Sequence, residues 1–212
     1  MEVVDEPKFQ SPFTKIIAGP TGAGKTFYLK RLIEKHDTHI SPPLQKVVIC
    51  YGESQPLYNQ IATNIPIELQ EGFSNEILDH CPKNSLLILD DVLAEVLNNP
   101  LVADLFTKIS HHRQISIIIT SQNLYEKKLR VHSLNAQYLV VYKSPRSVDQ
   151  IQVLSRQLGV GKFLTEIYQD ATKEPYSYLL IDLKANTPEN LRFRANIFKE
   201  QHGKPVEVYI RK

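Results

Sequence analysis

Cysteine is scarce in this 212-residue chain: Cys50 and Cys81 are the two it has, too few for a disulfide framework. Each stands in or beside an apolar run, so both are expected to be buried free thiols, as in a reducing compartment. No apolar run approaches the ~18 residues of a membrane-crossing helix, and no membrane partner is expected. The opening MEVVDEPKFQ carries acidic residues and lacks an apolar segment, which excludes a secretory signal there. Charge of one sign is not in excess either, with 25 Lys and Arg against 23 Asp and Glu, a net of +2. That excludes a polybasic tail or a supercharged coat protein, but not a surface for nucleic acid. No internal repeat or low-complexity tract is visible. The length suits one α/β domain with a real core and is short for two.

What charge there is falls unevenly. Residues 1–112 hold 9 basic and 14 acidic side chains, and residues 113–212 hold 16 and 9. Such a split is compatible with a ligand-handling first half and an anion-facing second half, and equally with chance on a solvated surface.

Five apolar, largely β-branched runs read as buried strands: 14–18 (TKIIA), 46–51 (KVVICY), 85–89 (SLLIL), 115–120 (ISIIIT) and 137–142 (QYLVVY). Helical spacing follows the first in FYLKRLIEK, and recurs over 75–80, 92–97, 101–110, 126–131, 147–158 and 162–169. Residues 52–72 read as a proline-punctuated loop with short elements. Strand character returns at 176–183, 191–198 and 206–210. Strands separated mostly by helices predict a mainly parallel sheet covered on both faces.

Gly19-Pro20-Thr21-Gly22-Ala23-Gly24-Lys25-Thr26 matches G-x-x-x-x-G-K-[ST] in full, after a strand and before a helix. Glycines let the backbone curl so that amide N–H groups converge on phosphate oxygens, and the helix opening near Lys25 adds free donors. Phe27 completes the candidate nucleotide-binding segment. Lys25 can reach the β and γ phosphates of ATP, and the Thr26 hydroxyl can ligate Mg²⁺. Asp90, at the end of a buried strand, could hold the Mg²⁺ shell. Asp91 could orient and deprotonate an attacking water, or cap the following helix. After ISIIIT, Gln122 is the first choice for a neutral amide beside the γ phosphate and Asn123 the second. Arg113 precedes that strand, at its far end from its own nucleotide, and so is placed to serve a neighbour in a ring. Arg130 and Arg146 are its competitors. His111 and His112 have no zinc-site spacing.

With these motifs in this order, the chain resembles the poxvirus A32-like viral DNA-packaging ATPases of the FtsK/HerA P-loop superfamily. The segments are IIAGPTGAGKTF (16–27), SLLILDD (85–91), HHRQISIIITSQNLY (111–125) and SLNAQYLVVYKSPRSVDQIQVLSRQL (133–158). The resemblance implies a single P-loop ATPase domain over 1–212, of the additional-central-strand type, with a core at about 14–160 and a C-terminal extension over 161–212. It implies ATP hydrolysis coupled to moving double-stranded viral DNA into a preformed capsid. A homo-oligomeric ring, pentamer or hexamer, would do this beside a capsid vertex or portal protein, in the virion or at the viral assembly site of an infected host cell. It matches Lys25 and Thr26 to the phosphate-loop pair, Asp90 to the magnesium-associated acid and Asp91 to the catalytic acid, which is often glutamate in that group. Gln122 matches the sensor and Arg113 the trans arginine.

Lys127, Lys128 and Arg130, then Lys143 and Arg146, then Arg192 and Arg194, are candidate phosphate-tracking patches. No sequence-specific DNA-binding motif is visible. Two other readings remain open from the residues: a small P-loop kinase, with Asp91 orienting an acceptor, and a nucleotide-gated structural protein of capsid assembly.

Overall fold

The structure, a computed structural model, describes residues 5–92, 104–106, 110–125, 130–146, 148–198 and 205–211, without the side chains of His111, Arg130 and Val131. Most of each helix expected over 92–97, 101–110 and 126–131 lies outside these residues.

In chain order the elements are β1 (Phe9–Gln10), β2 (Thr14–Ala18), α1 (Lys25–Glu34), α2 (His36–His39), β3 (Ile40–Ser41), β4 (Lys46–Tyr51), β5 (Ile67–Glu71) and β6 (Ser85–Asp90). They continue with α3 (Ser110–Arg113), β7 (Ile115–Ser121), α4 (Arg130–Asn135), β8 (Tyr138–Tyr142), α5 (Val148–Leu158), α6 (Lys162–Ala171), β9 (Tyr178–Asp182), β10 (Phe193–Ala195) and β11 (Glu207–Tyr209). Among the described residues nine strands form one sheet in the order β11-β10-β9-β8-β2-β7-β6-β4-β5. From β8 to β5 every pairing is parallel; β9, β10 and β11 close the other end antiparallel. β7 therefore stands between β2 and β6, the extra central strand expected. A small parallel pair, β1 with β3, lies apart.

Side-chain alternation along the strands sorts the core onto the two faces of this sheet. Ile16, Leu87, Leu89, Ile117 and Ile119 face one side, packed with Ile151 and Leu154 of α5 and Leu164 and Ile167 of α6. Ile17, Leu86, Ile88 and Ile118 face the other, packed with Tyr28, Leu29, Leu32 and Ile33 of α1. Burial on both faces explains why these strands read as continuous apolar runs. Cys50 and Cys81 are buried free thiols in the first of these cores, and burial pushes them up to about 12 and about 11.

The brief helix expected over Asn75–His80 is a 3₁₀ segment, and the short elements expected within residues 52–72 include a strand, β5. With the sequence IELQE and its last three residues exposed, β5 is an edge strand, so it carries no apolar run to betray it.

Lys15 is the exception in the core, fully buried on β2. Its ammonium sits 3.3 Å from the Phe9 ring centroid, near the rings of Phe13 and Tyr138, and donates to Tyr28 Oη at 3.1 Å. Burial holds its pKa well below the usual lysine range, with Asp182 opposing. Unfolded, it titrates near ~10.4. Between the lowered folded value and ~10.4 the unfolded chain binds more protons, so this group makes stability rise with pH across that window. The buried thiols act oppositely above about pH 8.5. The difference between wild type and Lys15→Met isolates the lysine. Lys15→Met is expected to be more stable than wild type at pH 7, an advantage that shrinks toward about pH 10 in urea titrations.

Candidate active site

Parallel strands end on the same edge, and β2, β7 and β6 bring their last residues together there. Between Ala18 and Lys25 the chain turns through Gly19–Gly24, tied to β7 by the Gly19 N–H donating to Ser121 O at 3.0 Å. Gly24 precedes α1 with φ 105°, a conformation that side-chain-bearing residues rarely adopt, and α1 has no side-chain cap. Its first amides are thus not claimed by a capping side chain and are available to a phosphate. Lys25 Nζ folds back over the turn, donating to Gly19 O at 2.7 Å and Pro20 O at 3.1 Å. Burial lowers its pKa, and the charges of Asp90 and Asp91 push it back up.

Asp90 is 2% exposed and held by hydroxyls from three elements. Thr120 Oγ1 of β7 donates to Oδ1 at 2.5 Å, and Tyr58 Oη donates to Oδ2 at 2.6 Å. Thr26 Oγ1, at the start of α1, lies 3.4 Å from the same Oδ2. A hydroxyl and a carboxylate side by side at the phosphate loop form the oxygen-donor pair that Mg²⁺ would use together with phosphate oxygens and water. Among the described residues no group of three His, Cys, Asp or Glu could hold a metal by itself.

Asp91 lies beyond the strand in the left-handed region, φ 58°, which Asp tolerates better than most. Its N–H donates to Thr120 Oγ1 at 3.1 Å, so one threonine is bonded to both acids. The Asp91 carboxylate is exposed, as suits a group meeting water. Its carbonyl lies 2.5 Å from where a Cβ on Gly52 would be, so only glycine fits at 52 without moving the acidic turn.

Tyr58, in the 3₁₀ turn Pro56–Gln60, is the residue that sequence reading missed. A single tyrosine in a mixed stretch carries no periodic signal; its role appears only when the chain folds over Asp90. Burial, then the Asp90 charge, raises its pKa. Tyr58→Phe is expected to cost about 2 kcal/mol in denaturant unfolding at neutral pH, the usual worth of a hydrogen bond to a charged group.

Gln122 follows β7 and lines a cleft with Gly19, Tyr142 and Gln150, on the phosphate-loop edge of the sheet. Asn123 is instead turned into a local loop, its N–H and carbonyl both bonded to Ser121 Oγ. Arg113 sits at the other end of β7, bonded to Leu78 O at 3.0 Å and 3.3 Å from Asp79. It is not brought together with the loop of its own chain. Arg146 is exposed on the turn before α5. Lys127 and Lys128 lie outside the described residues, as does the Arg130 side chain. Arg192 and Arg194 do not form a phosphate-tracking patch. Arg192 pairs with Glu189 and donates to Asp182 O, while Arg194 is 9% exposed, donates to Leu191 O and faces Asp182. Their guanidinium groups brace the turn between β9 and β10.

Solved structures share this fold. The DNA-packaging ATPase B204 from Sulfolobus turreted icosahedral virus superposes with a TM-score of 0.56 at 11% identity, over 95% of this chain and 98% of that one. The chain has the fold of a P-loop ATPase. The genome packaging NTPase B204 from Sulfolobus turreted icosahedral virus 2 matches this fold in complex with ATP-gammaS (TM-score 0.52, 11% identity, 83% and 95% covered). Its complex with AMP matches likewise (0.51, 12%, 82% and 94%). No family model matches the chain, and no curated protein does. The P-loop ATPase fold anticipated from the FtsK/HerA resemblance is the fold found, and the likeness does not single out the poxvirus A32-like branch.

Proposed function

We propose that this protein is an ATP-hydrolysing motor that moves double-stranded viral DNA into a preformed capsid, working as a homo-oligomeric ring at the site of virion assembly. The observation that carries the reading is β7 lying between β2 and β6: it sets Gln122 beside Gly19 on the edge where Thr26 approaches Asp90 at 3.4 Å. The shared fold with packaging ATPases supports the biological setting.

In this reading the amides of Gly19–Thr26 and the Lys25 ammonium would bind the phosphates of ATP. Thr26 and Asp90 would hold Mg²⁺, which would supply charge neutralisation at the phosphates. Asp91 would accept the proton of the attacking water, and Gln122 would orient that water by neutral hydrogen bonds. Arg113 would serve the neighbouring subunit. Exposed Lys143 and Arg146 could face DNA phosphates, repeated around a ring and indifferent to base sequence. The capsid vertex or portal would be the docking partner.

The test is phosphate release from ATP as a function of protein concentration, with and without double-stranded DNA, alongside oligomeric state by light scattering. A rate per subunit that rises with assembly and with DNA is expected. Transfer of the γ phosphate to a metabolite would instead establish a kinase. Absence of turnover in an assembled ring with DNA would leave a nucleotide-gated structural protein. Asp91→Asn is expected to keep Mg-ATP binding and to lose turnover by about 10²- to 10⁴-fold, the range of general base catalysis.

A further inference from the structure

β9 runs antiparallel to β8, so the turn leading into it arrives at the sheet edge where the parallel strands end. That turn, Thr172–Ser177, therefore overhangs the phosphate loop. A cavity of about 400 Å³ separates the two, lined by Thr21, Gly22 and Ala23 on one side and Pro175 and Tyr176 on the other. Its volume is in the range of small-molecule sites. Tyr176 is held at φ 63°, a left-handed conformation that favours glycine, and the residue is 62% exposed. Its Cδ1 lies 3.5 Å from where a Cβ on Gly24 would be. An aromatic ring held in a disfavoured conformation and facing solvent contributes little to the core. Such an outlier beside a cavity points to a ligand.

The sheet order fixes which part of a ligand would reach it. Asp90 and Gln122, which would face the terminal phosphate, belong to β6 and to the end of β7, on one side of β2. β8 and β9 lie on the other side. Phosphates crossing the loop with their terminal end toward β7 leave the nucleoside on the β8 side, under Tyr176.

We propose that Tyr176 is the stacking platform for the nucleobase of a bound nucleoside triphosphate, with the Pro175–Tyr176 turn forming one wall of the base subsite. This rests on the nucleotide reading of Gly19–Thr26. Equilibrium binding with Mg²⁺ tests it on the full chain, using ATP and inorganic tripolyphosphate as probes. Because glycine accepts the left-handed conformation, Tyr176→Gly should melt no lower than wild type. It should weaken ATP binding by about fivefold to a hundredfold, the usual effect of removing a base–aromatic stack, and leave tripolyphosphate within about twofold. Tyr176→Phe keeps the ring face and should hold ATP within about threefold of wild type. Unchanged ATP affinity in Tyr176→Gly, an equal loss for tripolyphosphate, or a loss in Tyr176→Phe matching that in Tyr176→Gly would each overturn this platform alone. A wild-type chain that binds neither probe would overturn the nucleotide reading and the platform with it.

Discussion

The Asp90→Asn protein is expected to stay folded and to lose Mg-dependent ATP turnover by at least about a hundredfold, the loss of a fixed metal position at the transferring phosphate. The reason lies in how fully that carboxylate is claimed. Thr120 donates to Oδ1 and Tyr58 to Oδ2, with Thr26 nearby. An asparagine oxygen can still accept from Thr120, which keeps Thr120 in place to receive the Asp91 N–H. Its amide would then donate to Tyr58 Oη, whose own proton turns toward Thr26 or water. Every buried hydroxyl keeps a partner, so the fold survives while the negative charge that Mg²⁺ needs is gone. Asp90→Ala behaves differently. It leaves the Tyr58 and Thr120 hydroxyls buried without their acceptor, at about 1–3 kcal/mol each, and is expected to unfold in urea well before Asp90→Asn. Turnover and urea unfolding of both variants separate the electrostatic role from the structural one. Equal stability of the two would mean that the hydroxyl cage contributes nothing to the fold, and undiminished Mg-dependent turnover in Asp90→Asn would remove Asp90 from the metal site.

The same cage shows what a sequence can disclose. Strands β2, β4, β6, β7 and β8 are buried on both faces, so their own apolar runs announce them, and the phosphate loop and acidic pair stand where those runs stop. Placement at strand ends is a local property and survives without knowledge of the fold. Tyr58 and Tyr176 are different cases. One reaches Asp90 from a loop 32 residues earlier, and the other reaches the phosphate loop because β9 reverses direction. Both depend on long-range placement, which no spacing in the chain encodes. Arg192 and Arg194 show the converse error. Their i, i+2 spacing looks like one charged strand face, yet both side chains turn back onto carbonyls of a neighbouring bend. A cation in a sequence is a candidate for an external anion only if the fold leaves its donors unclaimed.

That criterion decides how Arg113 should behave. β7 is seven residues long, so Arg113 and Gln122 are separated by roughly 20 Å of strand, too far for a guanidinium to reach its own subunit's terminal phosphate. Its present partners are a carbonyl and Asp79, and the Arg113–Asp79 pair is 47% and 76% exposed. Exposed pairs of this kind hold weakly, so the side chain can leave for a stronger anion across an interface. If it does, Arg113→Ala is expected to bind Mg-ATP as wild type does and still assemble. Its turnover would fall by about 10³-fold or more, the scale of an arginine supplied in trans. Lys25→Ala is inactive for a different reason, because its own site cannot hold the phosphates, but its Arg113 is intact. Mixing the two inactive proteins places a complete arginine beside a complete phosphate loop wherever a Lys25→Ala subunit adjoins an Arg113→Ala subunit in the right order. Activity regained on mixing, with none in either protein alone, would fix the arginine in trans and require contact between subunits. Mixed assemblies of confirmed composition that remain inactive would send the search to Arg146 or Arg130, and an Arg113→Ala protein as fast as wild type would return Arg113 to a surface role.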